Sequence, residues 1–423
     1  MELQLPKGTR DFAPEEKILR DRIVGTLKEV FELYGFAPLE TPVLERYDVL
    51  ASKYAGGAEI LKETFKFKDQ GERDLGLRYD LTVPLCRYVG MNPNIKMPFK
   101  RYQIGEVFRD GPVASARYRQ FLQCDPDIIG SSSMAADAEI ISLIYAVFPK
   151  LNLEAFVKVN SRKLLNDILD YCGVGKDRQE AAILSIDKLE KFGPNVVKNE
   201  MKEQGIDSVK INKALDLISI KGGNEEKIRQ LKNFLKSSEG LTELEELLSY
   251  LKIMGLDAEL DISLARGLSY YTGTVIETFL KNSNVKSSVC AGGRYDRIIG
   301  NFLGKGEYPA VGVSFGVDRL YDALMEKEKT TVKTNTKIYI IPIKTLSESV
   351  RIAQQLREAG INTDIDLNDK GPSKNLEYAN SLGIPYVLFI GKKELQEGKL
   401  KLRDMKTGEE EMTNIIEVIK RLN

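Results

Sequence analysis

Four stretches of this 423-residue chain carry polar side chains whose types and spacing could do chemistry. In "ARYRQFLQCDPDII" the two-residue period of an extended strand puts Arg117, Arg119, Phe121, Gln123, Asp125 and Asp127 on one face. Two guanidiniums, a ring, an amide and two carboxylates make a poor core. Such a face is either solvated, with cross-strand charge pairs, or the floor of a polar ligand site. Arginine grips phosphate through a planar fork, and a Phe ring stacks on a flat base. "LARGLSYYTGTVIE" adds Arg266, Tyr270 and Tyr271 among glycines that permit close backbone approach; otherwise it is a strand with surface aromatics. "VSFGVDRL" contributes Arg319 near a helix start, and "RYDLT" contributes Asp80 and Thr82, which would otherwise be turn residues. The chain has no histidine. No imidazole of its own can act as a general base, so catalysis must rest on carboxylates, tyrosines, cysteines, substrate groups or fixed positive charge.

Regular elements must hold these groups. A helix is expected over 14–34, because Leu19, Ile23, Leu27, Val30, Phe31 and Tyr34 recur at three- and four-residue spacing. Pro14 suits its first turn, Glu15 and Glu16 its positive end, and Gly35 its stop. Pro38 and Pro42 in "FAPLETPVLE" lack backbone donors and assign that stretch to a sheet edge or an interface. "TFKFKDQGERDLGLRYDLTVP" reads as a hairpin, with Phe65 and Phe67 alternating on one arm, Gly71 at the turn, and Leu75 and Leu77 on the other. A longer hairpin has arms at about 100–109 and 117–129, broken by Gly111 and Pro112. A helical pattern covers about 135–148, and a Lys/Glu-rich helical block covers 161–255 and interrupts the sheet. Strands resume at 259 ("ELDISLARGLSYYTGTVIETF") and 286, and "PAVGVSFGVDRLYDALMEK" is a strand running into a helix. The polar segment 327–336 is a linker. Beyond it, the buried-strand runs "IYIIPI" and "YVLFIG" alternate with a helix, which indicates a small α/β domain on a mostly parallel sheet.

Composition narrows the function classes. Lys+Arg and Asp+Glu are both 62, so there is no global basic footprint, and a nucleic-acid partner must meet local patches. Cys86, Cys124, Cys172 and Cys290 are far apart and form no CxxC pair. They read as reduced cysteines packed as small apolar residues in a cytosolic protein. The start "MELQLPKGTRDF" has no apolar stretch of the signal-peptide kind. No apolar run approaches the roughly 18 residues of a membrane span. There is no internal repeat, P-loop or dinucleotide glycine fingerprint.

In their order along the chain, these stretches resemble the class II aminoacyl-tRNA synthetases, and within them the histidyl-tRNA synthetase family. The helix and proline-bearing strand at 14–45 are similar to that class's first motif, a dimer interface. "FRDGPVASARYRQF" is similar to its second motif and "AVGVSFGVDRL" to its third. "LRYDLTVP", "QCDPDIIG", "LARGLSYYTG" and "CAGGRYDRIIG" resemble the histidine-specific signatures, and "GPSKNLEYANSLGIPYVLFIG" resembles the anticodon-binding domain. The resemblance runs from "LPKGTRDF" to "KLRDMKTGEE" and is weakest in the helical block.

That resemblance implies an α+β fold: an antiparallel-sheet catalytic domain with a helical insertion, plus a small C-terminal α/β anticodon-binding domain. The expected boundaries are 1–160 catalytic core, 161–255 insertion, 256–326 core continued, 327–336 linker and 337–423 anticodon-binding domain. It implies a cytoplasmic homodimer that uses ATP, Mg2+, L-histidine and tRNA(His). Arg109 would grip the α-phosphate of ATP and the substrate carboxylate. Arg117 and Arg319 would hold the outer phosphates, and Phe121 would stack on adenine. Asp80, Thr82 and Gln123 would bind the α-ammonium. Asp127 and Tyr271 would bond the imidazole, with Tyr270 beside them, and Arg266 would be the catalytic arginine. Two positions depart from the family pattern: Ser269 stands where Asp is usual, and Arg109-Asp110-Gly111 stands where Arg-x-Glu is common. A histidine-binding regulatory subunit of ATP phosphoribosyltransferase shares the catalytic fold but generally lacks the C-terminal domain. A synthetase for glycine or proline would keep the enzyme and change the pocket.

Overall fold

A hairpin of two ten-residue strands is the centre of the larger part of the molecule. The computed structural model describes residues 2–51, 61–113, 118–266, 270–304, 306–328 and 332–423. By its internal contacts the chain divides into two units, 1–10 with 22–327 and 11–21 with 328–423.

In the larger unit the strands run β1 (Ala37–Pro38), β2 (Leu44–Arg46), β3 (Lys66–Lys68), β4 (Asp74–Leu77), β5 (Phe99–Phe108), β6 (Gln120–Ile129), β7 (Ala155–Ser161), β8 (Glu259–Leu260), β9 (Thr274–Leu280), β10 (Cys290–Arg294) and β11 (Ala310–Gly316). One eight-stranded sheet has the order β1-β5-β6-β11-β10-β9-β7-β8. Its interior pairs, from β5 through to β7, are antiparallel; the two-residue strands β1 and β8 pair in parallel at the edges. Pro38 thus sits where a missing backbone donor costs nothing.

The sheet's apolar face is covered by the helix Met134–Lys150, which Ser133 caps by accepting from the Ala135 N–H. Ile140, Ile141, Leu143, Ile144, Val147 and Phe148 are all buried, because this helix also packs against the helix Glu239–Ile253. From the helix Pro14–Leu33, Ile23, Leu27, Val30 and Phe31 are buried, and the Phe31 ring lies 5.5 Å from Tyr102 and 5.8 Å from Phe315. Six helices between Arg162 and Ile253 separate β7 from β8 and form the insertion. All four cysteines are buried and none forms a disulfide.

Three local expectations need correction. Residues 155–161 form β7, although their pattern was not singled out. The stretch expected to be strand from 259 is extended only at β8 and again at β9; its described residues between are turn or irregular. The short hairpin exists as β3–β4, but Leu75 and Leu77 are only half-buried while Gly76 and Arg78 are buried. Arg78 is held there by donating to the Thr41 carbonyl at 2.8 Å and the Glu106 carbonyl at 2.7 Å, so hydrogen bonding rather than apolar burial fixes the register.

The smaller unit contains β12 (Ile338–Ile343), β13 (Thr363–Ile365), β14 (Tyr386–Gly391), β15 (Leu400–Asp404) and β16 (Glu410–Thr413) in the order β13-β12-β14-β15-β16. β12 pairs in parallel with β13 and β14, whereas β15 and β16 add an antiparallel hairpin. The sheet is therefore mixed, not mostly parallel. Its core is apolar on both faces: Ile338, Ile340, Leu388 and Ile390 on one, Tyr339, Ile341, Val387 and Phe389 on the other.

Candidate active site

Period two along β6 carries Gln123, Asp125 and Asp127 to one face of the sheet, and a cavity of about 80 Å³ opens above them. Asp80, Thr82, Arg109, Arg266, Tyr270 and Tyr271 complete its walls, together with Tyr79, Tyr295 and Ser314. Eight residues singled out from sequence, far apart along the chain, thus share one cavity: Asp80, Thr82, Arg109, Gln123, Asp127, Arg266, Tyr270 and Tyr271.

Asp80 lies just before the helix Thr82–Met91, and its Oδ1 accepts from the Val83 N–H at 2.9 Å. Burial pushes its carboxyl up, and that hydrogen bond opposes the shift. Arg109 leaves the end of β5 and lies between two rings, its Cζ 4.2 Å from the centroid of Tyr79 and 4.9 Å from that of Phe121. Phe121 is therefore next to the cation rather than in an apolar core. Gln123 donates from Nε2 to Ser314 Oγ at 2.8 Å, while its Oε1 is buried without a partner.

Asp127 is 3 % exposed and faces two neighbours. Tyr295 donates its hydroxyl to Oδ1. Arg101 Nη2 stands 2.7 Å from Oδ2, within ion-pair distance, yet neither atom finds an aligned hydrogen bond. The short distance establishes a charge contact, and the poor alignment leaves bonding capacity unused. Burial raises the Asp127 pKa, and Arg101 opposes it. Two glycines let the strands come this close: a Cβ on Gly312 would stand 1.9 Å from Asp127 Oδ1, and one on Gly292 would stand 2.1 Å from the Gly312 carbonyl oxygen.

Arg266 precedes the tyrosine pair. Its Nη1 donates to Glu277 Oε1 on β9 at 2.9 Å, and its Nε is buried without a partner. Burial works against its charge, but Tyr271, Glu277, Tyr270 and Asp187 outweigh burial and raise its pKa. The Tyr270 and Tyr271 rings are 4.7 Å apart, and burial pushes both hydroxyls up. Arg319, on the helix Val317–Lys327, donates to the Ser288 carbonyl and does not line the cavity. Its pKa is lowered by burial and then by Arg266 and Arg109, against Glu277, so two further guanidiniums repel this one. A polyanion relieves that repulsion.

Arg117 and Ser269 lie outside the described residues. Asp110 pairs with Arg119 at 3.1 Å, and its N–H donates to the Glu63 carbonyl at 2.7 Å. Sequence reasoning missed Arg101, Tyr295 and Glu277 and gave Asp125 no role. Arg101 was within reach: in the long hairpin it pairs in register with Asp127, and counting from the turn finds it. Among the described residues no group of three or more Cys, Asp or Glu could hold a metal ion. No described helix is long and apolar enough to cross a membrane.

Two units, one with a polar cavity over an antiparallel sheet and one with a mixed α/β sheet, set the class, and comparison with known proteins supplies the family. Residues 8–320 match the family model described as histidyl-tRNA synthetase, and 337–423 match the anticodon binding domain. A histidine–tRNA ligase 1 from Bacillus cereus is 45% identical over 419 residues, covering 97% of each chain. A histidine–tRNA ligase from Clostridium tetani is 38% identical, covering 98% of this chain and 96% of its own. The crystal structure of a histidyl-tRNA synthetase from a Nostoc species superposes with a TM-score of 0.87 at 31% identity, covering 100% of this chain and 99% of that one. A Bacillus halodurans structure described as an ATP phosphoribosyltransferase regulatory subunit/histidyl-tRNA synthetase shares the fold, with a TM-score of 0.77 at 22% identity over 92% of this chain and 98% of that one. The chain belongs to the histidyl-tRNA synthetase family.

Proposed function

We infer that the protein joins L-histidine to the 3′ end of tRNA(His) at the expense of ATP. The observation that carries this reading is the meeting of Arg109 and Arg266 with Asp80, Gln123, Asp127 and the tyrosine pair around one cavity, in a chain of this family. In the first step an oxygen of the histidine carboxylate attacks the α-phosphorus in line, an O–P bond forms, and the bond to pyrophosphate breaks. Neither partner needs a protein base, so a chain without histidine is adequate. It needs fixed positive charge where negative charge accumulates. Arg109 and Arg266 meet the α-phosphate, Arg319 and Arg117 the outer phosphates, and Phe121 the adenine. In the second step a ribose hydroxyl of the tRNA attacks the acyl carbon, and AMP leaves.

Asp80, Thr82 and Gln123 hold the α-ammonium, while Asp127 and Tyr271 hold the ring with Tyr270 alongside. A pocket that hydrogen-bonds the ring leaves its buried polar groups unpaired with an apolar rival, and sites of that kind discriminate by roughly 10⁴–10⁵ without editing. Mg2+ arrives with ATP as part of the substrate. It keeps several waters and leans on the phosphates, which suits a site whose Glu277 is already paired with Arg266. The C-terminal unit reads the tRNA, and the proline-bearing segment around β1 and β2, with Val43 and Leu44 exposed, serves a homodimer interface. Buried thiols outside any disulfide suit the cytoplasm.

The regulatory-subunit reading has less support, because the relatives matched over the whole length are ligases and the anticodon-binding domain is present. The test is ATP–pyrophosphate exchange that depends on histidine, followed by charging of a tRNA(His) transcript. A regulator would bind histidine and do neither.

A further inference from the structure

One buried carboxylate in the cavity is left over by the scheme above. Asp125 lies between Gln123 and Asp127 on β6, is 4 % exposed, and lines the cavity. Ser314 hydrogen-bonds the carboxylate, while its Oδ1 is buried without a hydrogen-bond partner. Of the other cavity carboxylates, Asp80 accepts from the Val83 N–H, and Asp127 accepts from Tyr295 and stands within ion-pair distance of Arg101, although its Oδ2 has no aligned donor. Charges reach Asp125 from every packed element: Asp127 on its own strand, Arg101 on β5, Arg78 after β4, Asp80 before the neighbouring helix, Tyr271 before β9 and Cys290 on β10. Of its two carboxylate neighbours, Asp127 acts on it more strongly than Asp80, so it belongs with the ring-binding group rather than the ammonium-binding one.

Counting charge at that end of the cavity leaves a deficit. Asp125 and Asp127 share Arg101, while Arg78 is committed to two backbone carbonyls and Arg266 to Glu277. Burial, and next the Asp127 charge, push the Asp125 carboxyl up to about 7. A neutral imidazole brings one N–H donor and no charge. An imidazolium brings two donors and the missing positive charge.

Resting on the assignment of this cavity to histidine, we propose that Asp125 is a specificity-determining residue: it is a second carboxylate for the substrate ring, which is bound with both nitrogens protonated, as imidazolium. The proton comes from Asp125 itself or from solvent, and it ends on the ring nitrogen that faces the Asp125 carboxylate. Free histidine carries that proton only below its ordinary pKa of about 6.5. Binding above neutrality therefore takes up protons, and a less basic ring is held poorly.

The test is calorimetric titration of the full-length protein with L-histidine and with its less basic analogue β-(1,2,4-triazol-3-yl)alanine, at pH 6 to 8, where the α-ammonium stays charged. Heats measured in two buffers of different ionisation enthalpy count the protons. For the wild type, histidine affinity should fall between pH 7 and 8, approaching tenfold per unit, with proton uptake, and the triazole should bind at least tenfold more weakly. Asp125→Asn should bind histidine on the order of 10–100-fold more weakly at pH 7, with the pH slope and the proton uptake gone. A flat wild-type profile without proton uptake would overturn the proposal, whether or not the variant folds. So would an Asp125→Asn loss equal for both ligands and constant with pH, which would assign Asp125 to the α-ammonium. Either result leaves the cavity assignment standing. That assignment fails separately, if the wild type does not bind histidine at all.

Discussion

Two buried arginine–aspartate pairs stand on the same sheet and are built differently. Arg294, 2 % exposed at the end of β10, meets Asp137 of the covering helix through Nε and Nη2. Its Nη1 donates to the Ser131 carbonyl at 2.9 Å and its Nη2 to the Ser133 carbonyl at 3.3 Å, so every guanidinium nitrogen is bonded. Arg101, with none of its surface exposed, donates Nη1 to the Asp125 carbonyl at 3.1 Å, but its Nε and Nη2 find no aligned acceptor, and Asp127 Oδ2 finds no donor. A buried charge is tolerable when all its bonds are made, and costly when they are not. The completed pair ties a helix to a sheet. In the incomplete pair Asp127 lines a cavity while Arg101 lies beneath it, and the carboxylate keeps bonding capacity for something that enters.

The contrast can be pressed by substitution, beginning with the completed pair. Arg294→Met strands the Asp137 carboxylate in the core and should cost about 3–5 kcal/mol of folding stability by urea denaturation, with the histidine KM of the folded fraction unchanged. A loss under about 1 kcal/mol would mean that the pair is not architectural. Arg266→Ala belongs to the other kind. It should lower the adenylation rate of the folded fraction by roughly 100–1000-fold, about 3–4 kcal/mol of transition-state stabilisation, a loss beyond the smaller stability cost of leaving Glu277 without its partner. Unchanged turnover removes Arg266 from the mechanism. Asp127→Asn should raise the histidine KM on the order of 10–100-fold, about 1.5–3 kcal/mol, and leave the ATP KM nearly unmoved; equal losses for both substrates contradict its place at the ring.

A further contrast concerns the protein without substrate. The folded Asp125 pKa of about 7 lies above its ordinary 3.8. The stability associated with its neutral form is therefore complete below about pH 4 and is lost as pH rises from there through about 7, at up to about 1.4 kcal/mol per pH unit across that window. Asp125→Asn should match the wild type in denaturant near pH 4 and exceed it near pH 8. The same difference at both pH values would show that the carboxyl is not suppressed in the fold.

What could be read from the sequence followed from the kind of burial. The smaller unit was legible because "IYIIPI" and "YVLFIG" are apolar without interruption, as strands covered on both faces must be. Its antiparallel edge was not, since Lys401, Arg403 and Glu410 on β15 and β16 alternate like an ordinary surface strand. In the larger unit the long hairpin was legible, and with it the polar face of β6. Arg78, Arg101 and Arg294 were not, because a buried arginine has the same one-letter pattern as an exposed one until its partners are known. The tyrosine pair was placed on a strand, yet it sits on irregular backbone, where close packing of Tyr270 against Tyr271 and Tyr295 takes over the work of a ladder.

The central claim is that the underbonded end of this cavity is the seat of histidine during adenylate formation. ATP–pyrophosphate exchange with the full-length protein, run in parallel with each of the twenty amino acids, addresses it most directly. Exchange is expected with L-histidine alone, and its loss is expected in Arg266→Ala. Exchange driven by glycine, proline or any other amino acid in preference to histidine, or no exchange from protein that binds histidine, would contradict it.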